Sequence, residues 1–120
     1  HCMKTTRLLR DKMKLAPEQL QVVFQSRFGR AEWLQPYAQG TTEGLPGKGV
    51  KNLVMIMPGF SADCVETLEE VAIGLDETFK HAGGVNFSAV PCLNDSALSI
   101  GMLETLVRQE LQGWAGLIED

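Results

Sequence analysis

Three acidic residues lie at the spacing of successive helical turns. Asp63, Glu66 and Glu70 are three and four residues apart, so a helix would place their carboxylates on one side. Carboxylates grouped in this way can bind a cation or take up protons. The spacing also fits an ordinary helix start, in which Asp63 is the N-cap and Glu66 completes an arrangement close to a capping box. Such starts are common, so the spacing alone leaves both interpretations open.

Two other side chains, those of Arg27 and Trp33, are suited to a binding site. Arg27 can clamp an anionic ligand with its planar guanidinium, although an arginine after a strand is more often a solvated surface group. Trp33 can line an apolar cleft or fasten a loop to the core. Cys64 and Cys92 are expected to be small, buried apolar side chains. Arg27 and Trp33 are therefore compatible with a binding function but do not require one.

Apolar residues that recur every three or four positions predict the helices. The predicted helices cover residues 3–15, 63–80 and 96–114. In the central helix the apolar stripe consists of Val65, Leu68, Ala72, Leu75 and Phe79. The glycines that follow this helix, within residues 81–84, are typical of a C-cap.

Short segments rich in β-branched and aromatic residues predict three strands. These strands cover residues 21–26, 52–57 and 86–90. The run at 52–57 is continuously apolar, which is typical of a strand buried on both faces. Between the first two strands, residues 29–49 are rich in glycine and proline and predict a long loop or a broken helix.

Strands that alternate with helices indicate an α/β fold with a parallel sheet and right-handed crossovers, flanked by helices in three layers. Residues 1–120 are expected to form one domain, incomplete because three strands make a small sheet. Ligands bind such sheets at the carboxyl ends of the strands, here residues 25–29, 58–63 and 91–95. The acidic group begins in the second of these loops.

The charge and cysteine content narrow the class of protein. The 120 residues include 11 lysines and arginines against 15 acids, a net charge of −4 without a basic tract, which argues against nucleic-acid binding. No apolar run approaches the roughly 20 residues that cross a bilayer, and the first residues lack a signal-peptide pattern, so we expect a cytoplasmic protein. Three widely spaced cysteines suit neither a disulfide framework nor a zinc cluster.

Four sequence segments of the chain resemble the C-terminal half of bacterial ferrochelatases. They are FQSRFGRAEWLQPY at 24–37, PGFSADCVETLEE at 58–70, AGG at 82–84 and PCLN at 91–94, in the family's order and spacing. The resemblance covers essentially the whole chain. It implies a chelatase-type fold of the flavodoxin-like or Rossmann-like class. It also implies an enzyme that inserts ferrous iron into protoporphyrin IX, the last step of heme biosynthesis.

The resemblance also implies roles for single residues. Glu66 matches the family's essential glutamate, which binds the metal, removes pyrrole protons, or does both. Asp63 and Glu70 would extend an acidic path for protons or metal.

Substrate contacts follow from the same resemblance. The segment near the porphyrin propionates matches Gln25, Ser26 and Arg27, with Arg27 as the charge partner. Trp33 and Phe60 match apolar residues that would face the macrocycle.

Two features of the family are missing from the sequence. The catalytic histidine stands in a histidine-glycine phrase upstream, a context that neither His1 nor His81 has. The N-terminal lobe, which supplies the other cleft wall, is also absent. We therefore expect a fragment that is inactive alone and has that lobe as its partner. An edge strand and apolar surface of this fragment would be exposed, so we expect it to be marginally stable or to self-associate.

Iron is expected as a substrate, and no permanently bound cofactor is expected. Some relatives hold a [2Fe–2S] cluster with four cysteines, three of them close together. The scattered cysteines of this chain make such a cluster unlikely on the pattern alone.

Two other functions stay open. In one, the chain is a noncatalytic α/β binding or interaction domain, in which Glu66 only caps a helix. In the other, it is part of a chelatase of related fold that inserts cobalt or nickel into another tetrapyrrole. The sequence also admits peripheral contact with a membrane. It does not decide whether Glu66 acts mainly as a metal ligand or as a proton acceptor.

Overall fold

The computed structural model describes residues 1–25 and 29–114, which form a mixed α/β structure. The α-helices of this described part are α1 (Cys2–Met13), α2 (Ala38–Gly44), α3 (Asp76–His81) and α4 (Ala97–Glu110), and its strands are β1 (Asn52–Met55) and β2 (Asn86–Ala89). A π-helix, Glu66–Leu75, leads directly into α3, and 3-10 turns form at Pro17–Gln19 and Pro46–Lys48. All three predicted helices are present, with shorter bounds than predicted.

The two strands pair in parallel, as the alternating pattern predicts. The register runs from Asn52 opposite Asn86 to Met55 opposite Ala89. The π-helix and α3 form the crossover between the strands. This β–α–β unit confirms the α/β class.

The first predicted strand, residues 21–26, is wrong over the described residues 21–25. Phe24 makes only an isolated parallel bridge with Tyr37. The Phe24 N–H donates to the carbonyl of Pro36 at 2.9 Å, and its carbonyl accepts from the N–H of Ala38 at 2.9 Å. Because these groups are used by the segment that enters α2, the described sheet has two strands and not three.

Burial along the π-helix and α3 repeats every four residues. The buried positions are Thr67, Val71, Leu75 and Phe79. The predicted stripe is wrong at Val65 and Leu68, whose side chains are 68% and 53% exposed. The physical reason is that i→i+5 hydrogen bonding widens the turn beyond the about 3.6 residues of an α-helix.

The crossover ends at two glycines, as predicted. Gly83 has a φ of 98°, the left-handed conformation that glycine adopts without strain. The N–H of Gly83 donates to Lys80 O at 3.0 Å and the N–H of Gly84 to Phe79 O at 2.9 Å, a Schellman motif. A methyl group at Gly84 would overlap the ring of Phe79, so this position requires glycine for space.

The core is small and much apolar surface is exposed. Ala38, Val71 and Leu75 form the buried cluster. Val54 is 64% exposed, so the prediction that its strand is buried on both faces is wrong for this chain: only the face of Leu53 and Met55 packs. The protein exposes 9286 Å², whereas a compact monomer of this size exposes about 6,400 Å².

The outer helices account for part of this surface. None of the 12 residues of α1 is buried, and in α4 only Ser99 is. Among the described residues, no helix combines the length and apolar character that a membrane span requires.

Candidate active site

The site lies in the loop between β1 and the π-helix. The N–H of Phe60 donates to the carbonyl of Met57 at 3.0 Å, which turns the chain sharply after the strand. Helical structure begins at Val65, and Glu66 is the first residue of the π-helix. The loop therefore places Phe60 and Asp63 near Glu66, at the carboxyl end of a strand of the parallel sheet, as predicted.

Asp63 is held by both of its carboxylate oxygens. Its Oδ1 accepts from the hydroxyl of Thr67 at 3.0 Å and from the N–H of Cys92 at 3.2 Å. Its Oδ2 accepts from the side-chain amide of Asn94 at 2.8 Å. The Asn94 amide and the Cys92 N–H hold the pKa of Asp63 below its ordinary value. Asp63 is therefore an ionised carboxylate that ties this loop to the loop after β2.

The start of the helix differs from the predicted capping box. The N–H of Asp63, from which the Glu66 carboxylate would accept in a capping box, donates to Asn94 Oδ1 at 2.8 Å, and the N–H of Cys64 donates to Thr67 Oγ1 at 2.9 Å. This leaves the side chain of Glu66 available for other contacts. The cap interpretation of Glu66 is wrong for this reason.

Glu66 is partly buried, and the Cys64 thiol influences the pKa of its carboxylate. The Cys64 side chain and the backbone N–H of Glu66 donate to its carboxylate and hold the pKa of Glu66 below its ordinary value. The charged form is therefore favoured at neutral pH. An ionised oxygen donor of this kind can bind a hard cation or accept a proton.

Gln25 joins Glu66 to Glu70. The Gln25 amide donates to the backbone carbonyl of Glu66 at 2.9 Å and to the carboxylate of Glu70 at 2.8 Å. Both of its N–H groups are engaged with the acidic helix. The structure thus brings together Gln25, Glu66 and Glu70, three of the predicted site residues.

A cavity of about 380 Å³ opens beside this group. Its lining includes Phe24, Gln25, Tyr37 and Glu70. One wall is therefore aromatic, and another carries an amide and a carboxylate. Such mixed lining is typical of small-molecule sites.

The predicted apolar contact residues lie at the surface. Trp33 is 38% exposed and Phe60 is 36% exposed. Trp33 and its neighbours Glu32 and Leu34 line a shallow depression of about 480 Å³. Ser26 and Arg27, the other predicted substrate contacts, lie outside the described residues.

Two residues of the site, Thr67 and Asn94, were not predicted from the sequence. Thr67 lies outside the predicted apolar stripe, yet it is buried, and its hydroxyl contacts both Asp63 and Cys64. Asn94 lies in a loop correctly predicted to face the site, and a polar amide just after a strand is the available signal.

The expectation of buried cysteines is wrong, because Cys64 and Cys92 are only partly buried. Burial still raises the pKa of the Cys92 thiol, and the Asp63 carboxylate beside it raises that pKa further.

Within residues 1–25 and 29–114, no cluster of three or more His, Cys, Asp or Glu side chains could hold a metal ion.

Comparison with known proteins identifies relatives of one kind. The sequence profile of the ferrochelatase family matches residues 1–111. The chain is 54% identical over 114 residues to the ferrochelatase of Mesorhizobium japonicum, covering 95% of this chain and 32% of that protein. It is 56% identical over 113 residues to the ferrochelatase of Allorhizobium ampelinum, covering 94% and 33% respectively. The chain thus spans about a third of the length of these relatives.

Proposed function

Because the chain belongs to the ferrochelatase family, we propose that it is the C-terminal part of an enzyme that inserts ferrous iron into protoporphyrin IX to form protoheme. The observation that carries this proposal is the pair Glu66 and Glu70, held together by Gln25 beside the carboxyl end of β1. Glu66 does not act as the helix cap, because the N–H of Asp63 that it would accept from donates to Asn94.

In the proposed reaction, ferrous iron replaces the two pyrrole protons of the porphyrin, and both protons leave the site. The ionised carboxylate of Glu66 accepts a proton or holds the metal as it approaches the ring. Glu70 lies next along the helix and would pass protons or metal between the cleft and solvent. Gln25 holds the Glu70 carboxylate near the backbone of Glu66, since its amide donates to both groups.

The porphyrin contacts are part of the same proposal. Trp33 and Phe60 are exposed aromatic residues on loops, and they would face the macrocycle. Ser26 and Arg27 would bind the propionates, with the guanidinium as the charge partner. Iron is a substrate in this scheme, and we propose no permanently bound cofactor.

The remaining part of the enzyme would cover the exposed surface of this chain. The observed area exceeds that of a compact monomer by about 2,900 Å². In the proposal, an upstream lobe packs here, adds strands to complete the three-layer sheet, and brings a histidine opposite Glu66.

The free thiols at Cys2, Cys64 and Cys92 support a cytoplasmic location.

An isolated 120-residue chain should then self-associate, because its apolar surface is uncovered. Sedimentation velocity over a hundredfold concentration range measures this directly. A sedimentation coefficient that is independent of concentration and equal to that of a folded monomer would contradict the proposal.

Metal insertion into a soluble porphyrin, followed by absorbance with the full-length protein, tests the function. We expect Glu66→Gln to remove most turnover while porphyrin binding is kept, since the amide cannot accept a proton or bind iron as a carboxylate does. Glu69→Gln, on an exposed neighbour in the same helix, is the matched control and should keep turnover.

Other outcomes separate the competing functions. Unchanged turnover in Glu66→Gln would remove Glu66 from the chemistry. A native protein that neither binds nor metallates porphyrin would favour a noncatalytic interaction domain. Faster insertion of cobalt or nickel into another tetrapyrrole would favour the related chelatase.

A further inference from the structure

Asn94 links the two loops at the carboxyl end of the sheet. Its φ of 50° is in the left-handed region, which non-glycine residues seldom adopt except asparagine and aspartate. Its backbone N–H donates to the carbonyl of Ser61 at 2.9 Å. The loop after β2 is therefore turned so that the Asn94 side chain meets the loop after β1.

The side chain of Asn94 pairs with Asp63 in both directions. Its Oδ1 accepts from the N–H of Asp63 at 2.8 Å, and its Nδ2 donates to the Asp63 carboxylate at 2.8 Å. The same Nδ2 donates to the carbonyl of Cys92 at 3.1 Å. One amide thus fixes both the backbone and the carboxylate of Asp63 from 31 residues away.

We propose that Asp63 and Asn94 are a positioning pair, whose mutual hydrogen bonds set the start of the helix and thereby the place of the Glu66 carboxylate. This inference rests on the proposed function, because it assigns the pair a role in metal insertion. It replaces the path role for Asp63 implied by family resemblance with a structural one.

Hydrogen bonds connect the pair to the residues around Glu66. Asp63 accepts from the Thr67 hydroxyl, and that hydroxyl accepts from the N–H of Cys64. Cys64 and Thr67 stand on either side of Glu66 in the chain, so these hydrogen bonds restrain the backbone around it. Thr67 is only 1% exposed, and the other acceptor within reach of its hydroxyl is the carbonyl of Cys64 at 3.1 Å, in the same loop. A shift of Asp63 is therefore transmitted to Cys64 before Glu66 and to Thr67 after it.

The hydrogen bonds of Asp63 also argue against a role for its carboxylate in carrying protons or metal. Each of its oxygens accepts at least one hydrogen bond from a protein donor. A carrier must bind and release its cargo, which here would break contacts that hold two loops together. A positioning carboxylate gains from the same contacts, because they fix its orientation.

Exchange of the two side-chain types is the decisive experiment, carried out in the full-length protein. Asp63→Asn sets two amide donors against each other, and Asn94→Asp sets two carboxylates against each other. Each single variant should lose about 10- to 100-fold in kcat, with the KM for porphyrin unchanged, because the reacting group is displaced while the binding surface is kept. The double variant Asp63→Asn with Asn94→Asp restores one donor facing one acceptor and should recover most of kcat.

The outcomes separate positioning from transport. If Asp63 carries protons or metal, the double variant stays as impaired as Asp63→Asn, and the proposal is overturned. Single variants with native kcat would overturn it too. Asn94→Gly is the backbone control: glycine keeps the left-handed φ without the amide, so it should lose kcat as Asn94→Asp does.

A second measurement keeps the test independent of activity and of folding failure. Hydrogen exchange of the Asp63 and Cys92 amides should speed up at least tenfold in Asn94→Gly and return toward native in the double variant. Native exchange rates in Asn94→Gly would overturn the pairing itself. If exchange behaves as expected but the native protein shows no metal insertion, the proposed function fails, and with it the catalytic part of this inference.

Discussion

The side-chain amide of Gln25 donates to the carboxylate of Glu70 at 2.8 Å, although the two residues are 45 positions apart in the sequence. This contact joins the segment before α2 to the acidic face of the π-helix. The same amide binds the carbonyl of Glu66, so a residue assigned to the substrate by family resemblance also orders the acidic group.

Gln25→Ala should lower both stability and turnover of the full-length protein. The substitution removes two long-range hydrogen bonds, one of them to a charged group, so we expect a loss of about 1 kcal/mol in the free energy of unfolding. Denaturant titration measures this loss. Gln21→Ala, at an exposed position of the same segment, is the control and should be nearly neutral. Equal stability of the two variants would show that the Gln25 contacts contribute nothing.

Cys64→Ala should raise the pKa of Glu66 toward its ordinary value of 4.5. The thiol is the largest cause of the lowered pKa, because it donates to the charged carboxylate and not to a protonated one. NMR titration of the Glu66 side-chain carboxyl carbon measures the shift. Cys64→Ser keeps a donor and should leave the pKa low. A pKa that stays the same in Cys64→Ala would mean that the thiol contact is absent in solution.

Acid should remove a stabilising contribution of Asp63. Its pKa in the folded protein lies below the ordinary value of 3.8, so the unfolded chain binds a proton more readily. The contribution is therefore fully present above pH 3.8 and is lost as the pH falls through the folded pKa. Unfolding midpoints measured between pH 2 and pH 7 should fall less steeply at the acid end in Asn94→Gly, which lacks the largest cause of the shift. Parallel curves for the two proteins would argue against this cause.

Gly84→Ala should destabilise the protein, whereas Gly101→Ala should not. At Gly84 the new methyl group meets the ring of Phe79, which is fully buried, and such overpacking costs roughly 1–3 kcal/mol. At Gly101, in the middle of α4, no atom lies within 4 Å, and alanine should stabilise the helix by up to about 1 kcal/mol. Thermal unfolding of both variants checks the opposite signs. A native midpoint for Gly84→Ala would mean that Phe79 can move aside.

Local patterns predicted the parts of the fold that depend on local interactions. The Schellman glycines, the serine before α4 and the parallel pairing of β1 with β2 follow from residue types and spacing, and all are present: Ser96 Oγ accepts from the N–H of Ser99 at 3.3 Å. The prediction of a strand at residues 21–26 was wrong, because Phe24 pairs with Tyr37 nearby in the chain. No local pattern distinguishes these two pairings.

The site was predicted in part for the same reason. Glu66 and Glu70 are found from their spacing, whereas the amide of Asn94 and the hydroxyl of Thr67 gain their meaning only from contacts with Asp63. Thr67 is buried where the predicted stripe put Leu68, because the π-helix turns more slowly than the assumed α-helix. A helix type that is rare on average is a poor guess from sequence even where it is correct.

The parallel pairing of β1 with β2 also sets the order in which this unit can fold. Asn52 and Asn86, whose side chains bond at 2.7 Å, are separated by 34 residues, so the strands meet only after a long loop has closed. The intervening helix needs only neighbouring residues and forms within about a microsecond. We expect the crossover to be ordered in the folding transition state and the strand pairing to come later, with high φ-values in α3 and low ones in β2. Substitutions in β2 would then shorten the lifetime of the folded protein and leave its rate of formation nearly unchanged.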